Sequence, residues 1–382
     1  MKLTNNTSKL DKAIVLMFFL SGFSALIYQV LWVRLLTKYV GGSAFSISIV
    51  LTVFMGGMAL GSIIAARFVD RIRETNGLIL LYGLMQAVIG ACGILIPVLI
   101  IFFKPLYQML YSAFYEQFLT YNILASLFSV VILLVPTSLM GATLPALSRY
   151  YLRTFPKMGT RIGKLYGINT LAAALGALIC GLWMVYKFGV YGSLGIAVAI
   201  NLSIAFTCIL LVGRGIRWKS LLSLIPVPLK QADRKSTNVK GVLLILAVSG
   251  FCGMGYEVVW TRLIALLVGP TTYSFSIVLF TFITGLALGS MLFGKLCDKT
   301  RRPFALLIFT QLGACLLGLA TSHILGSSQV FFSKLLYEFK DQFFMLEFRK
   351  SLALFAFMLP PTLLFGAAFP IATKVHTINL KT

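Results

Sequence analysis

The sequence has 382 residues, of which 59% are apolar and only 11% charged. Soluble domains run at about 25% charged and about 45–50% apolar. This balance, with a mean hydropathy of +0.95, excludes a soluble enzyme, a disordered chain and a disulfide scaffold. The net charge of +23 is not a nucleic-acid signal, because most Lys and Arg residues occupy short gaps between apolar runs.

Ten runs reach the roughly 20 apolar residues that a membrane helix needs. In chain order they are about 13–36, 44–66, 77–103, 120–147, 165–186, 190–212, 241–266, 272–294, 304–325 and 351–372. The first is too long for the apolar stretch of a cleaved signal peptide, and no small-x-small site follows it. The second carries Gly56, Gly57 and Gly61 and leads into a basic loop. Aromatic, amphipathic segments at about 105–119 and 330–346 suit helices lying on the outer leaflet. Pro136 and Pro145 interrupt the fourth run, and Pro361 and Pro370 the tenth. Asn169 and Thr170 in the fifth run are candidates for hydrogen bonds between helices. Residues 213–240 form a basic linker with Pro226 and Pro228. The organisation read here is a first six-helix repeat over 1–212, the linker 213–240, and a second, four-helix repeat over 241–382.

Counting Lys and Arg in alternate gaps gives 24 on one side and 9 on the other, unbroken over ten spans. Both termini are therefore predicted on the cytoplasmic side of the inner membrane. The six cysteines form no CxxC, and the two histidines have no acidic neighbours. No metal site and no cofactor are expected.

The chain repeats itself. Residues 21–71 align without a gap to 249–299, at an offset of 228. Tyr28, Trp32 and Arg34 match Tyr256, Trp260 and Arg262, and Gly57-x-Ala59-Leu60-Gly61-Ser62 matches Gly285-x-Ala287-Leu288-Gly289-Ser290. A second block aligns at an offset of 225. There Pro136-Thr137-x-Leu139-x-Gly141-Ala142-x-x-Pro145 matches Pro361-Thr362-x-Leu364-x-Gly366-Ala367-x-x-Pro370. Six spans separate equivalent helices, so the repeats are predicted parallel, as in the two halves of a major-facilitator transporter. The loops with Asp70, Arg71 and Arg73, and with Asp298, Lys299, Arg301 and Arg302, are similar to that family's cytoplasmic motif. An Asp among cations at a helix end can form a lock that a rocking motion breaks.

The fuller pattern is narrower: Ser-Gly-Phe-x5-Tyr-Gln/Glu-Val-x-Trp-x-Arg-Leu, then Gly-x-Ala-Leu-Gly-Ser, with the run 163–177 and the doubled Pro-Thr-x-Leu-x-Gly-Ala-x-x-Pro. It resembles the membrane-spanning part of fused spermidine synthase proteins. The resemblance implies an all-α membrane bundle of two major-facilitator-like repeats. It also implies a function close to polyamines, by transport or as an anchor for an aminopropyltransferase. No counterpart of 163–212 follows the tenth run, and no synthase domain follows either. The second repeat is expected to be incomplete, as in an inactive truncated relative, a split-gene product or the first part of a larger protein, and no enzymatic activity carries over.

Glu257 is the only carboxylate inside an apolar run as bounded above. A charge there costs about 2.5–3.5 kcal/mol on insertion scales, so it needs a partner or a role. Arg262 or Arg34 could pair with it. Glu257, Tyr256, Tyr28 and Gln29 together could line a path for a small organic cation, since carboxylates and aromatic rings suit ammonium groups. Its expected depth is the outer third of the membrane, with Trp32, Trp260, Arg34 and Arg262 as interface anchors. Gly57, Gly61, Gly285 and Gly289 read as close helix packing. The expected partners are the lipid bilayer, a small organic cation such as a polyamine, and an aminopropyltransferase.

Overall fold

A computed structural model describes residues 2–40, 43–72, 74–114, 116–154, 158–212, 238–269, 271–300 and 302–379. Among them there is no strand. The helices are α1 (Lys2–Val40), α2 (Ser43–Val69), α3 (Thr75–Phe102), α4 (Lys104–Phe114), α5 (Phe118–Thr154), α6 (Met158–Ile179) and α7 (Val185–Val212). Then come α8 (Asn238–Val268), α9 (Thr272–Lys299), α10 (Pro303–Ser327), α11 (Gln329–Glu338) and α12 (Phe343–Asn379). A π-helical turn, Cys180–Met184, joins α6 to α7.

Nine candidate membrane spans lie among the described residues. The chain is thus a helical, multi-pass membrane protein by length and composition. The fifth candidate, Leu165–Val212, is 48 residues long. At 1.5 Å per residue that is about 72 Å, over twice the roughly 30 Å hydrocarbon thickness. It is broken at Gly189, whose φ of 69° and ψ of −174° are not helical. Contacts on either side of the break run in opposite senses along α1. Asn169 packs at Gly22, Gly176 at Phe23, and Cys180 lies in the field of Arg34. In α7, by contrast, Cys208 touches Met17 and Asn201 reaches Ser24. Val198 sits beside Tyr28 where both pack on Gly93.

The chain divides into two compact units, Met1–Leu229 and Lys230–Thr382. The boundary falls in the linker 213–240, of which residues 213–237 lie outside the described residues. In the first unit, Phe18, Tyr82, Leu147 and Tyr150 anchor the core. In the second, Cys297, Leu307, Ala367 and Ile371 do so.

Inside each unit the same close helix pair recurs. A Cβ at Gly57 would strike the Thr137 side chain, and one at Gly61 the Ser138 carbonyl, so α2 lies directly on α5. In the second unit Gly285 meets Thr362 and Gly289 meets the Leu363 carbonyl, so α9 lies directly on α12. Every one of these contacts is displaced by the same 228 and 225 residues that relate the sequence blocks. Thr137 and Thr362, each following a proline, turn their hydroxyls back onto the preceding helical turn, at Leu133 and Leu134 and at Met358 and Leu359.

The units differ in what covers their first helix. In the first unit α6 and α7 pack on α1 and α3. In the second unit Gly250, equivalent to Gly22, has nothing near its Cβ position, and Phe251 is 81% exposed. Leu312, Leu316 and Leu319 on α10 are also exposed.

Interhelical polar contacts arise elsewhere than at Asn169 and Thr170. Thr170 bonds within its own helix, to the Tyr166 carbonyl. Asn201 instead meets the Ser24 hydroxyl at 2.5 Å, and Gln86 donates to the Ser21 hydroxyl at 2.6 Å.

Candidate functional site

On α8 the described buried positions are Val242, Ser249, Gly253, Glu257, Trp260, Thr261 and Ile264, while Phe251, Val259, Arg262 and Leu266 are exposed. The buried set follows helical spacing, so it forms one face. Near Gly253, one turn before Glu257, lie the rings of Phe282 from α9 and Phe365 from α12. Glu257 lies one turn further along the same buried face. It is 1% exposed, and neither carboxylate oxygen has a hydrogen-bond partner. The Thr261 hydroxyl does bond to residue 257, but at its main-chain carbonyl, 2.7 Å away.

Arg262 is exposed while Glu257 is buried, so the two do not pair. Arg34 is exposed in the first unit. Glu257 lies within the candidate span Leu244–Val268. It is not the only carboxylate within a span: Asp11 and Glu347 fall inside Leu10–Lys38 and Phe344–Ala372. Glu347 is paired with the buried Lys350, one turn away. The run at 351–372 hid that pair, because the helix starts eight residues earlier.

Gln29 is the counterpart of Glu257 at the offset of 228. It too is fully buried, and neither atom of its amide has a partner. The repeat thus carries one unsatisfied polar side chain at the same helical position in each unit. In natural interiors such groups are rare, and each asks for an explanation.

The tyrosines have a different setting. Tyr28 stacks on Trp32 with ring centroids 5.3 Å apart and fills the notch at Gly93 of α3. Tyr256 lies 5.3 Å from the Trp260 ring and fills the matching notch at Gly318 of α10. Tyr28 and Gln29 belong to one unit, and Tyr256 and Glu257 to the other. Both tryptophans are fully buried, so they are core residues rather than interface anchors. Trp260 donates its indole N–H to the Ser322 hydroxyl at 2.9 Å.

In the basic loops, Arg73 and Arg301 lie outside the described residues, as does the side chain of Asp298. Arg71 stacks on Phe68, 5.1 Å from the ring centre. Lys299 and Arg302 are exposed. Asp70 forms an ion pair with Arg149 at 3.1 Å, tying the end of α2 to the end of α5. Arg149 is equivalent to Lys374 at the offset of 225. The Lys374 ammonium donates to the Cys297 carbonyl at the end of α9. A basic residue late in α5 or α12 thus clamps the end of its neighbour, where a cation also suits the helix dipole. Neither clamp was singled out from the sequence, although both residues sit at matching repeat positions. Both ties lie inside one unit. The Asp70–Arg149 pair is half exposed, so its coupling is expected to be only about 0.2–1 kcal/mol. A double-mutant cycle of Asp70→Asn and Arg149→Gln, read by thermal unfolding, should give that value and lose most of it in high salt.

Compared with family models, curated proteins and solved structures, the chain matches none.

Proposed function

We propose that this protein is a transporter-like bundle handling a small organic cation of the polyamine class, with Glu257 as the group that receives the cation. The observation that carries this reading is a buried carboxylate with no internal partner at the repeat position held by Gln29 in the other unit. An intramembrane ionisable group without a structural partner is a functional candidate by default. The neighbouring Tyr256 and Trp260 rings supply aromatic surface that suits an ammonium group.

The finer architecture belongs to the same proposal. The break at Gly189 and the opposite senses of α6 and α7 along α1 support ten crossings rather than nine. The recurrence of the α2–α5 contacts in α9–α12 supports two major-facilitator-like repeats. The excess of Lys and Arg on one side supports both termini in the cytoplasm. Kinship with the membrane part of fused spermidine synthases rests on the motifs quoted above.

Uptake of labelled spermidine into proteoliposomes tests the reading. The wild type should accumulate it, and Glu257→Gln should not. Normal uptake by that variant would remove Glu257 from the mechanism. No uptake and no binding by well-folded wild type would refute cation handling altogether.

A further inference from the structure

A cavity of about 470 Å³ lies where α1, α4 and α5 meet in the first unit. Two exposed lysines line it, Lys38 at the end of α1 and Lys104 at the start of α4. Between them stand the phenols of Tyr107, Tyr111 and Tyr121, with Gln108 and Ser112. Among the described residues no carboxylate is in the lining. The walls are built rather than loose: Tyr107 packs edge-on against Phe128 of α5 at 5.3 Å, and Tyr111 against Tyr121 at 5.7 Å. Phe103, between α3 and α4, closes on Phe128 at 4.6 Å. Burial pushes the Tyr107 phenol up.

The helices that meet here also expose apolar side chains. Ile101 and Phe102 end α3, and Leu119 and Ile123 begin α5. The site therefore joins a cationic, donor-rich pocket to surface suited to acyl chains, at the level where a short amphipathic helix lies between two spans.

We propose that this cavity binds the phosphodiester headgroup of an anionic phospholipid. Two ammonium groups and the Gln108 side-chain amide can donate to the phosphate oxygens. The two lysines make the described lining net positive, which favours an anionic headgroup over a zwitterionic one, whose quaternary amine only the tyrosine rings could hold. The second unit supplies an internal contrast. There Leu266 stands at the position of Lys38, and Gln329 at that of Lys104. The corresponding surface on α11 carries one Lys, Lys334, and one Glu, Glu338, so its described lining has no excess of positive charge.

The test uses the full chain in nanodiscs of phosphatidylcholine doped with phosphatidylglycerol, with bound lipid counted by native mass spectrometry. Removing a basic group near the surface costs roughly a fivefold loss of anionic-lipid binding. Lys38→Gln and Lys104→Gln should each show that loss, and together they should multiply to about 25-fold. Arginine at both positions should restore retention, and Lys334→Gln should leave it unchanged. Equal retention by the double variant and the wild type would overturn the site. So would equal retention of phosphatidylcholine and phosphatidylglycerol by the wild type. Inorganic phosphate, offered without anionic lipid, should not raise the unfolding temperature. Stabilisation by phosphate as large as that by phosphatidylglycerol would mean a soluble anion and would overturn the lipid assignment.

Discussion

Gly61→Ala and Gly289→Ala should each destabilise the protein by about 1–3 kcal/mol, the usual cost of forcing a methyl into filled space. A methyl at Gly61 runs into the Ser138 carbonyl, and one at Gly289 into the Leu363 carbonyl. Both obstacles are backbone, so no rotamer change relieves them. The helices would have to separate, and α2 on α5 and α9 on α12 are the close pairs of their units. The sign is informative because Ala is otherwise about 0.8–1.0 kcal/mol better than Gly in a helix. Gly56→Ala, with nothing within 4 Å of its Cβ position, should show that small gain instead. A second contrast uses one repeat position twice. Gly22→Ala meets Asn169 from α6, whereas Gly250→Ala meets nothing. The first should lower the thermal unfolding temperature in detergent and the second should not. If all five variants unfold alike, the helix pairing described here is wrong.

Much of this packing could be read from the sequence, because small residues leave a periodic mark. Gly57 and Gly61 recur as Gly285 and Gly289 at one offset, and such a spacing has few uses in a membrane other than close helix approach. The spans themselves were legible for the same reason, since lipid demands long apolar runs. What escaped was direction and partnership. Sequence spacing could not tell that Trp32 and Trp260 turn inward. The Gly93 and Gly318 notches that hold Tyr28 and Tyr256 lie more than sixty residues away. Nor could it show that Arg149 and Lys374 clamp neighbouring helix ends, because a Lys or Arg near a loop reads first as a topology signal. Glu347 was missed because the start of α12 is aromatic and charged by turns, so the apolar run begins after the helix does. The outer cavity around Lys38 and Lys104 joins residues from α1, α4 and α5, which no single window of sequence brings together.

Replacing Glu257 by Leu should make the protein more stable while removing its response to cations. A buried carboxylate that no described group pairs with loses its hydration and gains nothing in return. Insertion scales put that cost at about 2.5–3.5 kcal/mol at a helix centre, and Glu257 lies inside its candidate span. Leu is of similar size and carries no polar atom to this buried position, so a gain on that order is the expected upper bound. Glu257→Gln should gain less, since an amide still leaves polar atoms unsatisfied there, as Gln29 does in the first unit. Natural sequences tolerate such a cost at sites that act, and improving stability there tends to remove activity. Unfolding in detergent, with and without spermidine, separates the outcomes. If the wild type alone is stabilised by spermidine, and Leu raises the baseline but abolishes the shift, the carboxylate serves a ligand. If Leu lowers the baseline, Glu257 has an internal role, and the transport reading loses its main support. The reciprocal variant, Gln29→Glu, should be destabilised by the same physics, because it adds a second unpaired carboxylate where the first unit has only an amide.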